Sequence, residues 1–158
     1  MDFKQYLIET FQYNDYANKL VLEKIKQLEE KEEAIKFFSH LINLMNQWLA
    51  RIHHEPDANK LDWWEPAYPL AELEPRWNKC LKAWIDFINS QSEQELFAVI
   101  QYEGYDGGRW EVPLKDIPLQ LNYHSIHHRA QIQTMIRKQG WVPDFVDYIG
   151  TKYRKISK

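Results

Sequence analysis

From residue 3 to about residue 28, Phe3, Tyr6, Leu7, Phe11, Leu20, Val21, Ile25 and Leu28 recur at mostly helical spacing, which predicts a first long helix. The charged run 29–33 then reads as a solvated turn and the start of a second helix, since acids suit a helix N-terminus. That second helix covers about residues 33–53 and carries Phe37, Leu41, Leu44, Met45, Trp48 and Ile52. Pro56 and Pro66 bracket a loop containing Asp62, Trp63, Trp64 and Glu65. A third helix follows, from Leu70 or Pro75 to Asn89, with Leu81, Trp84, Ile85 and Ile88 as its apolar stripe. The pattern then changes: residues 96–102 favour a strand, 104–108 a glycine-rich turn, and 109–112 a returning strand. A short β-hairpin of this kind needs a helix to lean on. A fourth long helix runs from Pro113 or Leu114 to Gln139, where Gly140 stops it, and the tail 143–149 adds a short helix or a docked segment. With no repeat and no flexible linker, residues 1–158 read as a single all-α domain with a hairpin before its last long helix.

At 158 residues and 44% hydrophobic content the chain is long enough to bury a core. A net charge of −3, with acids and bases interspersed, argues against nucleic acid as a partner. No stretch approaches the roughly 20 apolar residues of a membrane span, and the opening residues lack the features of a signal peptide. Cys80 is the single cysteine, so no intrachain disulfide forms; it reads as a small core residue. These features point to the cytoplasm. Seven Trp, nine Tyr and seven Phe supply material both for a core and for the walls of an apolar pocket.

The candidate chemistry lies in the histidines. His124 and His128 are four apart and share a helix face with Ile117, Leu121, Ile132 and Met135, the stripe expected to face the core. Arg129, Gln133 and Arg137 fall on the far side, expected toward water. Two inward imidazoles need partners, because an unsatisfied buried polar group costs about 1–3 kcal/mol, and a shared metal would serve both. The His-Glu-x-x-His pattern of metalloproteases is absent, since Ser125 stands where Glu would be. His40, beside Leu44 and near Asn43 and Gln47, looks inward at the shoulder of the second helix and is the candidate third ligand. His127 points to the side and is held in reserve, while His53 and His54 read as surface or capping residues.

Taken together, His124-x-x-x-His128-Arg129-x-Gln131, Gly140, the Pro143-x-x-x-Asp147-Tyr148 tail, the opening residues 13–18 and residues 38–43 around His40 resemble the DinB-like family of bacterial metal-binding bundles. Ala130 stands where many relatives carry Gly. The resemblance covers most of the chain. It implies an up-down-down-up four-helix bundle, a divalent ion held by His40, His124 and His128, and a homodimer. It also implies that some relatives use the metal to activate a low-molecular-weight thiol.

Three neutral imidazoles leave coordination positions open, where an ion lowers the pKa of whatever deprotonates there. Zn, Ni or Fe all suit this ligand set. The first functional reading is a metal-dependent transferase or hydrolase acting on a small, partly apolar molecule, with a thiol as cosubstrate. Trp63 and Trp64 then either wall its pocket or pack over the end of the bundle. The alternative is a non-catalytic metal- or ligand-binding protein with a structural ion. A stress-linked interaction module has no motif behind it, and no general base can be named from the residues.

Overall fold

The computed structural model describes residues 2–157. Four long helices make the frame: α1 (Phe3–Gln27), α2 (Glu32–Ile52), α3 (Leu70–Ser90) and, last in the chain, α5 (Asp116–Lys138). Between the third and the last stand a short helix α4 (Glu93–Phe97) and a hairpin of β1 (Val99–Glu103) and β2 (Arg109–Pro113). The sequence reading places these bounds within a few residues, except that Leu96 belongs to α4 rather than to a strand. That turn of helix is set by a capping box, Ser92 accepting from the Glu95 backbone while Glu95 accepts from the Ser92 N–H. Gly107 turns the hairpin at a φ of +74°, and Gly140 ends the last helix at +82°, both in the left-handed region that glycine enters at little cost. The tail ends in a 3-10 turn at Tyr148–Thr151, with Val146 buried and its carbonyl accepting from the Tyr13 hydroxyl at 2.8 Å.

Side-chain contacts define the helix directions. The segment after α2 folds back along it, so that the Tyr68 N–H donates to Ser39 Oγ at 2.9 Å. As a result α3 begins near the start of α2 and runs parallel to it: Trp77 packs on Phe38, Trp84 Nε1 donates to the Met45 carbonyl, and Phe87 meets His53. Against α1 the same helix is antiparallel, with Trp77 on Asp15 and Trp84 stacked on Phe11. The last helix runs parallel to α1, pairing Asn122 with Thr10 and Ser125 with Asn18. It runs antiparallel to α2, and its Gln139 clamps the α1–α2 turn by bonding Glu29 and Glu30. The bundle is therefore up-down-down-up, with α1 and α2 on one diagonal and α3 and α5 on the other. Its centre is filled by Leu7, Phe11, Leu22, Phe38, Ile42, Trp77, Trp84 and Ile88.

One expectation is overturned. Arg129 does not face water but is 2% exposed, with its guanidinium donating to Asn14, Asn18 and Tyr13 at 2.9–3.0 Å. The last helix is flanked by two neighbours rather than one, so its covered arc is wider than its apolar stripe. The side against α1 is polar: Asn14, Asn18, Ser125 and Arg129 satisfy one another there, as buried polar groups must. Gln133 is half-buried and Arg137 exposed on the same helix.

Candidate metal centre

His40, on the third helical turn of α2, and His124 and His128, one turn apart on α5, bring their rings together where these antiparallel helices pass. Ligand atoms from the three all lie within 4.8 Å of one another. His124 Nε2 sits 2.9 Å from His40 Nε2 and 2.9 Å from His128 Nε2. Nitrogens about 2.0–2.2 Å from one ion, at angles between right-angled and tetrahedral, would stand about 2.8–3.6 Å apart. Both 2.9 Å separations fall in that window.

The proton count supports the same fit. His40 Nδ1 lies 2.7 Å from the Trp63 carbonyl, which can only accept, so Nδ1 holds the proton and a neutral ring presents a bare Nε2. His128 Nδ1 lies 2.6 Å from Gln131 Oε1 and, with that oxygen as acceptor, its Nε2 is bare as well. His124 Nε2 can donate to one of these neighbours at most. At least one 2.9 Å contact therefore sets lone pair against lone pair, an arrangement that a cation between them would relieve. Fixing the outer nitrogen with a carbonyl is also how metal-binding imidazoles are commonly oriented.

The rings are poised to stay neutral. Burial lowers the pKa of His40, against the opposing pull of the Trp63 carbonyl. Burial, and then the charge that His128, His40 and His127 would carry, brings His124 down to about 4. His128 is lowered mainly by burial, with Gln131 acting the other way. Neutral imidazole is the form that ligates.

Aromatic side chains enclose the cluster. Trp64 stacks on His40 with centroids 3.9 Å apart and turns its edge to His128 at 5.7 Å. Phe37 packs on both Trp64 and His128. His124 is half-exposed, whereas His40 and His128 are 4% and 5% exposed, so the open side of the cluster is His124's. Of the two tryptophans weighed for a pocket wall, Trp64 borders the site, while Trp63 lends it a carbonyl and lays its ring on Arg51. His127 is exposed, its ring 5.0 Å from that of His128 and outside the converging group. His53 and His54 are exposed at the end of α2, and Cys80 is buried, its thiol pKa pushed up to about 12 by that burial. Sequence reasoning missed the supporting roles of Gln131 and Phe37. Gln131 carries a signal in its three-residue spacing from His128, whereas Phe37 is indistinguishable in the sequence from the rest of its helix's apolar stripe.

A four-helix bundle whose second and last helices bring together three imidazoles that could hold a metal ion is the class of protein that fold and cluster define. The DinB family model matches residues 1–158, and the chain belongs to that family. No curated protein and no solved structure matches it significantly. Among the described residues no helix is long and apolar enough to cross a membrane.

Proposed function

We propose that His40, His124 and His128 hold one divalent ion, Zn, Ni or Fe, and that the protein is a metal-dependent transferase or hydrolase. The observation that carries this reading is the pair of 2.9 Å contacts among Nε2 atoms, two of which are left without protons by their Nδ1 partners. An ion held there supplies Lewis acidity, lowering the pKa of a thiol or water that reaches it. The protein's own part is to keep three imidazoles neutral, fix two of them from behind, and present an apolar wall of Trp64 and Phe37 to a small, partly apolar substrate. A low-molecular-weight thiol as cosubstrate accords with the family resemblance. On the same reading the chain acts as one domain, as a homodimer in the cytoplasm, without nucleic acid.

A non-catalytic bundle with a structural ion is the competing reading. The half-exposed edge at His124 favours catalysis, because it leaves a side from which solvent and substrate can enter. Elemental analysis of protein purified without a polyhistidine tag should find about one divalent ion per chain. A negligible metal content after incubation with Zn²⁺ or Ni²⁺ refutes the site itself. A panel of thiols and electrophiles, run on metal-loaded and metal-stripped protein, should show turnover only when loaded. Loaded protein that turns over none of them, and unfolds on chelation, belongs to the structural reading. Sedimentation at micromolar concentration should give a dimer.

A further inference from the structure

Among the described residues two arginines are buried. Arg129 is satisfied by Asn14, Asn18 and Tyr13. Arg51, 5% exposed in the last turn of α2, is not. Its guanidinium lies 4.5 Å from the Trp63 ring, with Trp48 and Tyr102 at 5.3 and 5.4 Å. Its Nε is enclosed without a hydrogen-bond partner, and no carboxylate among the described residues pairs with it. Aromatic faces attract a cation from above and below but leave the N–H groups in its plane unsaturated. The helix C-terminus offers a favourable dipole, which is only partial compensation. A desolvated guanidinium of this kind is matched to an anion with two oxygens in its plane.

Arg51 also lines a cavity of about 240 Å³, together with His54, Glu55, Pro56, Asp57, Ala58, Asn59 and Glu103. That volume equals roughly eight waters at ~30 Å³ each, room for a compact organic molecule. The carboxylates around it are differently placed. Asp57 is neutralised by Lys60 at 2.6 Å, whereas Glu55 and Glu103 are exposed and form no ion pair among the described residues, Glu103 accepting a hydrogen bond from Asn59 Nδ2 at 2.6 Å. One buried cation and two acids without a cationic partner therefore share a single small cavity. By the helical rise along α2 the cavity lies about 16 Å from His40, which makes it separate from the histidine cluster.

We propose that this cavity binds a small zwitterionic amino acid, its carboxylate on the guanidinium edge of Arg51 and its ammonium toward Glu55 and Glu103. A simple anion would meet the arginine but also two like charges; a simple cation would meet the acids but also the arginine. Only a ligand carrying both charges satisfies both ends.

The test uses the full chain labelled with ¹⁵N-arginine, following the Arg51 Nε–H resonance while L-alanine, acetate or methylammonium is added. L-Alanine should give a saturable shift with a Kd of about 1 mM or tighter. Acetate should bind about two- to fivefold more weakly, the worth of an exposed ion pair, and methylammonium should leave the resonance unmoved. Arg51→Met should abolish L-alanine binding measured by calorimetry. Should that variant fail to fold, the double variant Glu55→Gln/Glu103→Gln still decides, because both side chains are exposed and their loss should bring L-alanine to the affinity of acetate. No shift with L-alanine at tens of millimolar overturns the proposal, as does equal affinity for acetate and L-alanine in the parent chain. L-Alanine binding that survives Arg51→Met overturns it too.

Discussion

Gln131→Leu removes the acceptor behind His128 and nothing else that the site needs. The amide oxygen stands 2.6 Å from His128 Nδ1, one turn further along α5 and half-buried. Leucine is one atom shorter but similar in bulk and favours a helix, so the helix and the direction of His128 along it should persist. What is lost is the bond that keeps the proton on Nδ1 and the ring in one orientation. Loss of such a partner typically costs 10–100-fold in metal affinity, which is about 1.4–2.8 kcal/mol. The complementary change, Gln131→Glu, places a carboxylate on the same N–H and makes the imidazole more basic, so affinity should rise severalfold. Competition for Zn²⁺ against a chromophoric chelator at neutral pH measures both variants beside the parent, with thermal melts of the stripped proteins as the control for folding. If all three proteins hold Zn²⁺ with one affinity while melting alike, the bond does not orient a ligand and the tautomer argument for the cluster fails.

His124→Ala and His128→Ala should each abolish metal-dependent turnover while far-ultraviolet dichroism stays close to the parent's, because Ile117, Leu121 and Ile132 remain buried on that helix. Unfolding of both at room temperature, matched by chelated wild type, would instead make the ion structural. Trp84→Ala empties the centre of the bundle, where the ring is fully buried, stacked on Phe11 and bonded to the Met45 carbonyl. It should lose about 3–5 kcal/mol in urea unfolding, and a loss below half of that contradicts the packing described. For metal-stripped protein, the three histidines have folded pKa values below the ordinary value, His124 falling from 6.5 to about 4. The unfolded chain thus takes up protons first, and the stability present above pH 6.5 is lost as pH falls toward 4. Urea midpoints across that range should drop less steeply for His124→Ala, and superimposable profiles would show that the cluster is not the source.

Much of this bundle is written in local spacing. Residues four apart on a helix share a face whatever surrounds them, so His124 and His128 had to be neighbours, and the i, i+3, i+4 recurrence marked four long helices to within a few residues. Turn chemistry was equally local: Gly140 stopped the last helix where a left-handed residue was needed. Topology was legible only through resemblance, because spacing along a helix says nothing about which helices adjoin. The short α4 was readable in principle from Ser92 and Glu95, but its single turn was absorbed into a strand-like run of apolar residues.

What the tertiary structure alone decided is which neighbour covers each helix face. Hydrophobic periodicity finds an apolar stripe, yet a helix between two partners is buried over a wider arc, and a polar strip there reads as solvent-facing. Arg129 lies on such a strip, and nothing in the sequence marks Arg51 as lying between aromatic rings. The surroundings of the histidine cluster were hidden likewise. Trp64 reaches His40, and the Trp63 carbonyl reaches its Nδ1, only because the connection after α2 folds back along that helix. Sequence alone determined where each side chain points about its own helix axis, since that depends on backbone geometry over a few residues. The meeting of His40 with His124, 84 residues apart, depends on how whole helices pack, and that is decided by the summed burial of the core.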